Sequence, residues 1–229
     1  MSENFKGSGK SQLFSSVDYD HINVSGKTFG DGNIKACSLK SSGKLEITGD
    51  LTVSESVDLS GKGTFNLVKC RNFTGSGKVS VSDSLNADEN VTISGAFHIG
   101  DVTAKKCSFS ISSFSEIRKL KSETVSVRKS NNSFSKEQFP ENGDIKINIF
   151  GFKFEHHVDV EKINENVKHD AVLEVGSIES KFADVSNTTA NEIIADDVII
   201  GAGCNIKLVK YRNSYKCDSS SSVNKAVKE

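Results

Sequence analysis

The sequence predicts an all-β fold, a parallel β-solenoid of about 17 residues per coil, on two observations. A Ser-Gly-Lys-like tripeptide places its glycine at Gly9, Gly26, Gly43, Gly61, Gly77 and Gly95, at intervals of 17, 17, 18, 16 and 18. Between these glycines the apolar residues alternate: Leu45, Ile47, Leu51, Val53, Val57 and Leu59 are all odd-numbered, and Val91, Ile93, Phe97 and Ile99 continue the habit around Gly95. A period of two means strands with one buried face. Such short strands, with two-residue hairpin turns rare between them, describe a chain that coils rather than folds back on itself.

Each coil would hold about three short strands, stacked on the next at the usual inter-strand spacing of about 4.8 Å. A single coil cannot bury its own apolar face, so stability must come from neighbours, as in other repeat proteins. The recurring glycine supplies φ > 0 without a Cβ penalty and the preceding serine can bond nearby backbone, so the tripeptide reads as a corner.

Past residue 110 the tripeptide fades. Ile117 to Val127 still alternates in part, a polar, Pro-containing stretch near 130–143 reads as a loop insertion, and Ile145, Ile147, Ile149, Phe152 and Phe154 resume a strand pattern. Between Val172 and Tyr211 the coil pattern returns, with Ile178, Ile193 and Val209 spaced by 15 to 16. The expected organisation is a disordered tail over 1–4, one β-helix domain over 5–213, and a disordered Ser/Lys-rich tail over 214–229.

Composition narrows the function. With 29 Lys+Arg against 30 Asp+Glu the net charge is −1, which argues against a nucleic-acid binder driven by global positive charge. No stretch reaches the ~20 apolar residues needed to span a bilayer, and the opening residues have no signal-peptide core, so a cytoplasmic location is expected. The five cysteines, at 37, 70, 107, 204 and 217, are an odd set without a Cys-x-x-Cys pair and read as small core hydrophobes. No metal or cofactor is expected.

Several motifs invite chemistry and are better read as structure. Gly9-Lys10-Ser11 and Gly26-Lys27-Thr28 match the end of a phosphate-binding loop, but Asn4 and His21 stand where its first glycine should be. His156 and His157 are adjacent, so on a strand they face opposite sides. Asp50, Glu55 and Asp58 are carboxylates that a β-helical polysaccharide lyase could use, and Ile200-Gly-Ala-Gly-Cys-Asn-Ile206 is a single hexapeptide-acyltransferase-like run. An enzyme of either kind is the alternative reading. Lys10, Lys27, Lys44, Lys62 and Lys78 would form a row of like charge along one corner, either solvated or set against an anionic surface.

The last coil carries a resemblance. Ala195-Asp-Asp-Val-Ile-Ile-Gly-Ala-Gly-Cys-Asn-Ile-Lys-Leu-Val-Lys-Tyr211 resembles the closing segment of bactofilins, polymer-forming bacterial cytoskeletal proteins, of the longer Gram-positive type. Leu173-Glu-Val-Gly-Ser-Ile and Thr189-Ala-Asn-Glu-Ile-Ile resemble that family's penultimate coils. The resemblance implies a right-handed β-helix that polymerises end to end without nucleotide, alone or with a paralogous bactofilin. Many members carry a short apolar membrane-targeting segment that Met1 to Lys10 lacks, so membrane contact is expected to be indirect or weak, through partners at the inner face of the cell membrane. Elementary physics points the same way, since an open solenoid ends in unpaired strand edges that must be capped or used. The expected polymer interface is Leu13, Phe14, Val17 and Ile22 at one end and Val198, Ile200, Ile206, Val209 and Tyr211 at the other.

Overall fold

The computed structural model describes residues 3–130 and 171–229, together with the backbone of 144–149 and 152–157. Ten strands form one parallel sheet: β1 (Glu3–Phe14), β2 (Asp18–Asp31), β3 (Ile34–Ile47), β4 (Asp50–Val53), β5 (Ser56–Ile111), β6 (Ser115–Lys129), β9 (Leu173–Val185), β10 (Thr188–Ile200), β11 (Asn205–Cys217) and β12 (Ser222–Lys228). Each strand pairs with its neighbours in the order of the chain, with no helix among the described residues, so the sheet is a β-solenoid.

The register reproduces the sequence repeat. Gly9 lies against Gly26, Gly26 against Gly43, and Gly43 against Gly61, while the lysine that follows each glycine meets the lysine of the next rung. β5 runs unbroken through the corners at Gly61, Gly77 and Gly95, all three in the left-handed φ region. At Gly61 the requirement is double. Its φ is +128°, and a Cβ built there would collide with the carbonyl oxygen of Gly43 on the adjacent rung.

Inward positions fill one continuous core that runs from Leu13 to Val209. Its inventory is mainly Val, Ile, Leu and Phe, which suit the half-buried pleat of a strand and stack on their own kind from rung to rung. Phe97 and Phe109 pack at 5.1 Å between centroids. Buried hydroxyls are satisfied locally: Ser115 Oγ accepts from the amide of Phe97 at 3.2 Å, and Ser122 Oγ donates to the carbonyl of Lys105 at 2.9 Å.

The domain limits differ from the expectation in three places. Glu3 and Asn4 belong to β1, where a disordered start was expected. Residues 214–229 are not a disordered tail: β11 continues to Cys217, and β12 adds a further parallel strand, with Ile206 against Val223 and Tyr211 against Lys228. Tail composition misled because ladder hydrogen bonds use backbone groups that every residue here carries.

The third difference is the insertion. β6 pairs directly with β9, Ser115 against Leu173 through Val127 against Val185, so the solenoid passes from one to the other across 131–170. Those residues form a unit of their own, longer than the expected loop near 130–143, which lies outside the described residues. Within it, β7 (Asp144–Ile149) and β8 (Phe152–His157) form an antiparallel pair, Ile149 against Phe152. The alternation at 145–154 therefore marks a hairpin, not a resumed rung.

Candidate functional site

Two regions of the solenoid could act on other molecules: its ends and its surface. At the first end β1 is paired on one side only. Phe5 and Val17 are half-buried against the core there, and Phe5 meets Tyr19 edge-on at 5.8 Å and 78°. The amide of Phe14 donates to Tyr19 Oη at 2.9 Å, which fastens the outermost rung to the second. At the other end β12 is likewise paired on one side, and it covers only Asn205 to Tyr211 of β11. Tyr211 and Tyr215 stack at 5.3 Å and 24°, half-buried, beside a half-buried Val223. Burial first, and then Cys217, push the Tyr215 phenol up to about 12.

This geometry corrects the expected interface. Val198, Ile200, Ile206 and Val209 are fully buried in the chain's own core, because Tyr215, Cys217, Val223 and Ala226 lie over them in register. Leu13 and Ile22 are buried as well, the first in register with Gly30 on the next rung. Only Val17 and Tyr211 remain half-exposed, and Phe14 points outward on the side of the solenoid. The half-buried apolar residues near the open ends are instead Phe5, Val17, Tyr211, Tyr215 and Val223. Sequence reasoning passed over Phe5, and it missed Tyr215 and Val223 because it stopped the fold at 213.

The lysine row is in place. Lys10, Lys27, Lys44 and Lys62 are successive register partners, and Lys78 follows Gly77, which abuts Gly61 as Gly61 itself abuts Gly43. Rungs about 4.8 Å apart put neighbouring charges near 5 Å, where repulsion in water is about 0.8 kcal/mol per pair. Of the five only Lys44 has an ion-pair partner among the described residues, Glu46 at 3.0 Å. The hydrogen bond from Lys44 holds the Glu46 carboxyl below its ordinary value, with the charge of Lys44 next and Lys27 and Lys62 adding to it. The corner's hydroxyls face inward and bond each other, Ser11 Oγ to Thr28 Oγ1 at 2.8 Å, so the phosphate-loop-like triplets are corners.

The same side carries a shallow groove of about 620 Å³ farther along the stack, where Ser80, Ser82, Gly100 and Gly176 leave space. Glu116 and Glu174 are register partners in it, with His98 Nδ1 3.8 Å from Glu116. Asp50, Glu55 and Asp58 do not join them. Asp50 accepts from Asn66 Nδ2 at 3.2 Å, and Glu55 uses its backbone carbonyl for Arg71 and Asn72. Among the described residues no three His, Cys, Asp or Glu side chains gather as a metal site. His156 and His157 are neighbours in β8. No helix of the described residues is long and apolar enough to cross a membrane.

The cysteines divide. Cys70, Cys107 and Cys204 are buried, Cys37 is intermediate, and Cys217 is exposed, a departure from the expectation that all pack in the core. Burial pushes the Cys70 thiol up to about 12 and Cys107 to about 11, so neither is a nucleophile at neutral pH.

Comparison with known proteins finds no matching family model, no matching curated protein and no matching solved structure.

Proposed function

We propose that this protein is a structural scaffold whose copies stack end to end through their terminal rungs, without nucleotide, as the bactofilin-like closing coil implies. One observation supports the reading above the rest: both β1 and β12 are single-sided strands with half-buried aromatic and aliphatic side chains beside them. Unpaired backbone edges over an apolar cross-section are a template for further strands, and soluble proteins ordinarily blunt them with helices, prolines or inward charges. Here β1 and β12 have no helix over them among the described residues and no proline. Stacking unlike ends yields a polar filament and stacking like ends a non-polar one. The test is to concentrate the purified chain in buffer free of nucleotide and divalent metal and to image it by negative-stain electron microscopy. Filaments of the width of one solenoid support the scaffold, and a monodisperse monomer at high concentration ends it.

The in-register carboxylates Glu116 and Glu174 favour a second reading, a carbohydrate-active β-helical enzyme, since paired carboxylates on neighbouring strands are the usual equipment for cleaving sugars. Release of reducing ends from bacterial polysaccharides, lost in Glu116→Gln, would establish it.

A further inference from the structure

We propose that the corner bearing Lys10, Lys27, Lys44, Lys62 and Lys78, with Phe14 and Phe29 beside it, rests on an anionic lipid bilayer. The five lysines span four rung intervals, a straight row roughly 19 Å long at about 4.8 Å each. In the strand segments that follow the corner, outward positions alternate with inward ones. Gln12 and Phe14 thus share a side with Lys10, and Phe29 and Asp31 share it with Lys27. Gln12 is the register partner of Phe29 and Phe14 of Asp31, so the two rings lie on adjacent rungs two positions apart. They are 53% and 38% exposed, two of the three large apolar side chains turned to solvent among the described residues.

Exposed phenylalanines beside a basic stripe are the composition of a surface that lies in the headgroup region. The rings enter the acyl boundary, and the lysine stems reach back to the phosphates. The shape selects a membrane over a nucleic acid. The lysines and both rings lie on one side of neighbouring parallel strands, which a plane can meet together, whereas single-stranded nucleic acid is held in a groove that tracks its backbone. Several cations elsewhere on the solenoid are neutralised from the neighbouring rung, as in Lys105–Glu89, Arg118–Asp101 and Lys210–Glu192. In the lysine row each cation meets another lysine instead, and only Lys44 has a carboxylate partner, on its own strand. Asp31 and Glu46 are the acids on this side near the rings, and Glu46 is already engaged. This inference does not rest on the scaffold reading, because a single copy carries the entire stripe.

Flotation of the full chain with vesicles tests it, since filaments sink while vesicle-bound protein rises. Vesicles of phosphatidylcholine alone should leave the protein at the bottom. Vesicles with phosphatidylglycerol added should carry it up, less so as salt is raised. Each Lys→Gln change along the row should weaken binding about fivefold. Phe14→Ser with Phe29→Ser should weaken it further and make the remainder more salt-sensitive. Circular dichroism of these surface variants should be unchanged. Failure to float with anionic vesicles, or equal flotation by the five-lysine variant, overturns the proposal. So does tighter binding of single-stranded DNA or inorganic polyphosphate that the same five substitutions abolish.

Discussion

At the scale of single residues, the corner glycines should differ in how much they tolerate a side chain. Gly9 has φ +74°, but a Cβ there would meet nothing within 4 Å, because it lies on the outermost rung. Gly61 has φ +128° and a carbonyl oxygen of the rung above in the way. Gly9→Ala should therefore cost only the left-handed penalty of about 1–2 kcal/mol. Gly61→Ala adds overpacking, about 1–3 kcal/mol more, and should shift the urea midpoint clearly further. Equal shifts would show that the corner relaxes around a methyl group. The buried thiols give a second residue-scale expectation, in pH. Cys70 and Cys107 ionise at about 12 and about 11 when folded, against about 8.5 in an unfolded chain. The folded state thus holds more protons than the unfolded one from about pH 8.5 upward, and its stability falls as pH rises. The slope approaches ~1.4 kcal/mol per pH unit for each thiol and is absent below about pH 8. Urea midpoints followed from neutral to alkaline pH should show this decline, and Cys70→Val should remove part of it. An unchanged slope in the variant would assign the decline to other groups.

At the scale of elements, the solenoid should survive removal of its insertion. β6 and β9 meet along their lengths, and Arg128 fixes the junction by donating to the Asp184 backbone carbonyl at 3.1 Å and pairing with the Asp184 carboxylate. After Val127, joining Ser130 to Ala171 leaves Arg128, Lys129, Ser130, Ala171 and Val172 to reach Leu173. The next corner needs only Ser186 and Asn187. Shortening this connection about ninefold removes about 2 kcal/mol of closure entropy. The variant lacking 131–170 should keep its strand signal and unfold at equal or higher urea; loss of cooperative unfolding would show that the insertion supports the stack. These elements also show what a sequence reveals. Gly9 through Gly95 and the alternation from Leu45 to Ile99 carry fold, register and lysine row together, because each rung repeats the same steric demand. The hairpin at 144–157 escaped, since a strand in an antiparallel pair and one in a parallel rung have the same period of two. β12 escaped because Ser222 to Lys228 offers only Val223, Ala226 and Val227 as apolar residues. It is held by backbone ladder bonds to β11 and not by a recognisable pattern.

At the scale of the whole molecule, a stack of nearest-neighbour rungs makes the two ends energetically unlike the middle. A residue inside the stack is shared by the rungs on both sides, and a residue at the end is shared by one and leaves the other contact open to a second copy. Ile206 and Val223 separate these roles, because they are register partners on adjacent rungs, the first buried and the second half-exposed at the terminus. Ile206→Asp places a charge in the core and should cost several kcal/mol, about 3–5 by analogy with other unpaired buried charges. Its effect on assembly would then be a consequence of damaged folding. Val223→Asp keeps its charge in water and should cost about 1 kcal/mol or less, as should Phe5→Asp at the other end. If assembly uses the ends, Val223→Asp and Phe5→Asp should unfold at nearly the wild-type urea midpoint yet fail to sediment as polymer. Mixing the two variants distinguishes the modes of stacking. Where unlike ends meet, each variant retains one sound end and the mixture stops at pairs joined through Val223 of one and Phe5 of the other. Where like ends meet, each variant alone already dimerises through its sound end. Sedimentable polymer from both single variants would place the contacts on the sides of the solenoid instead.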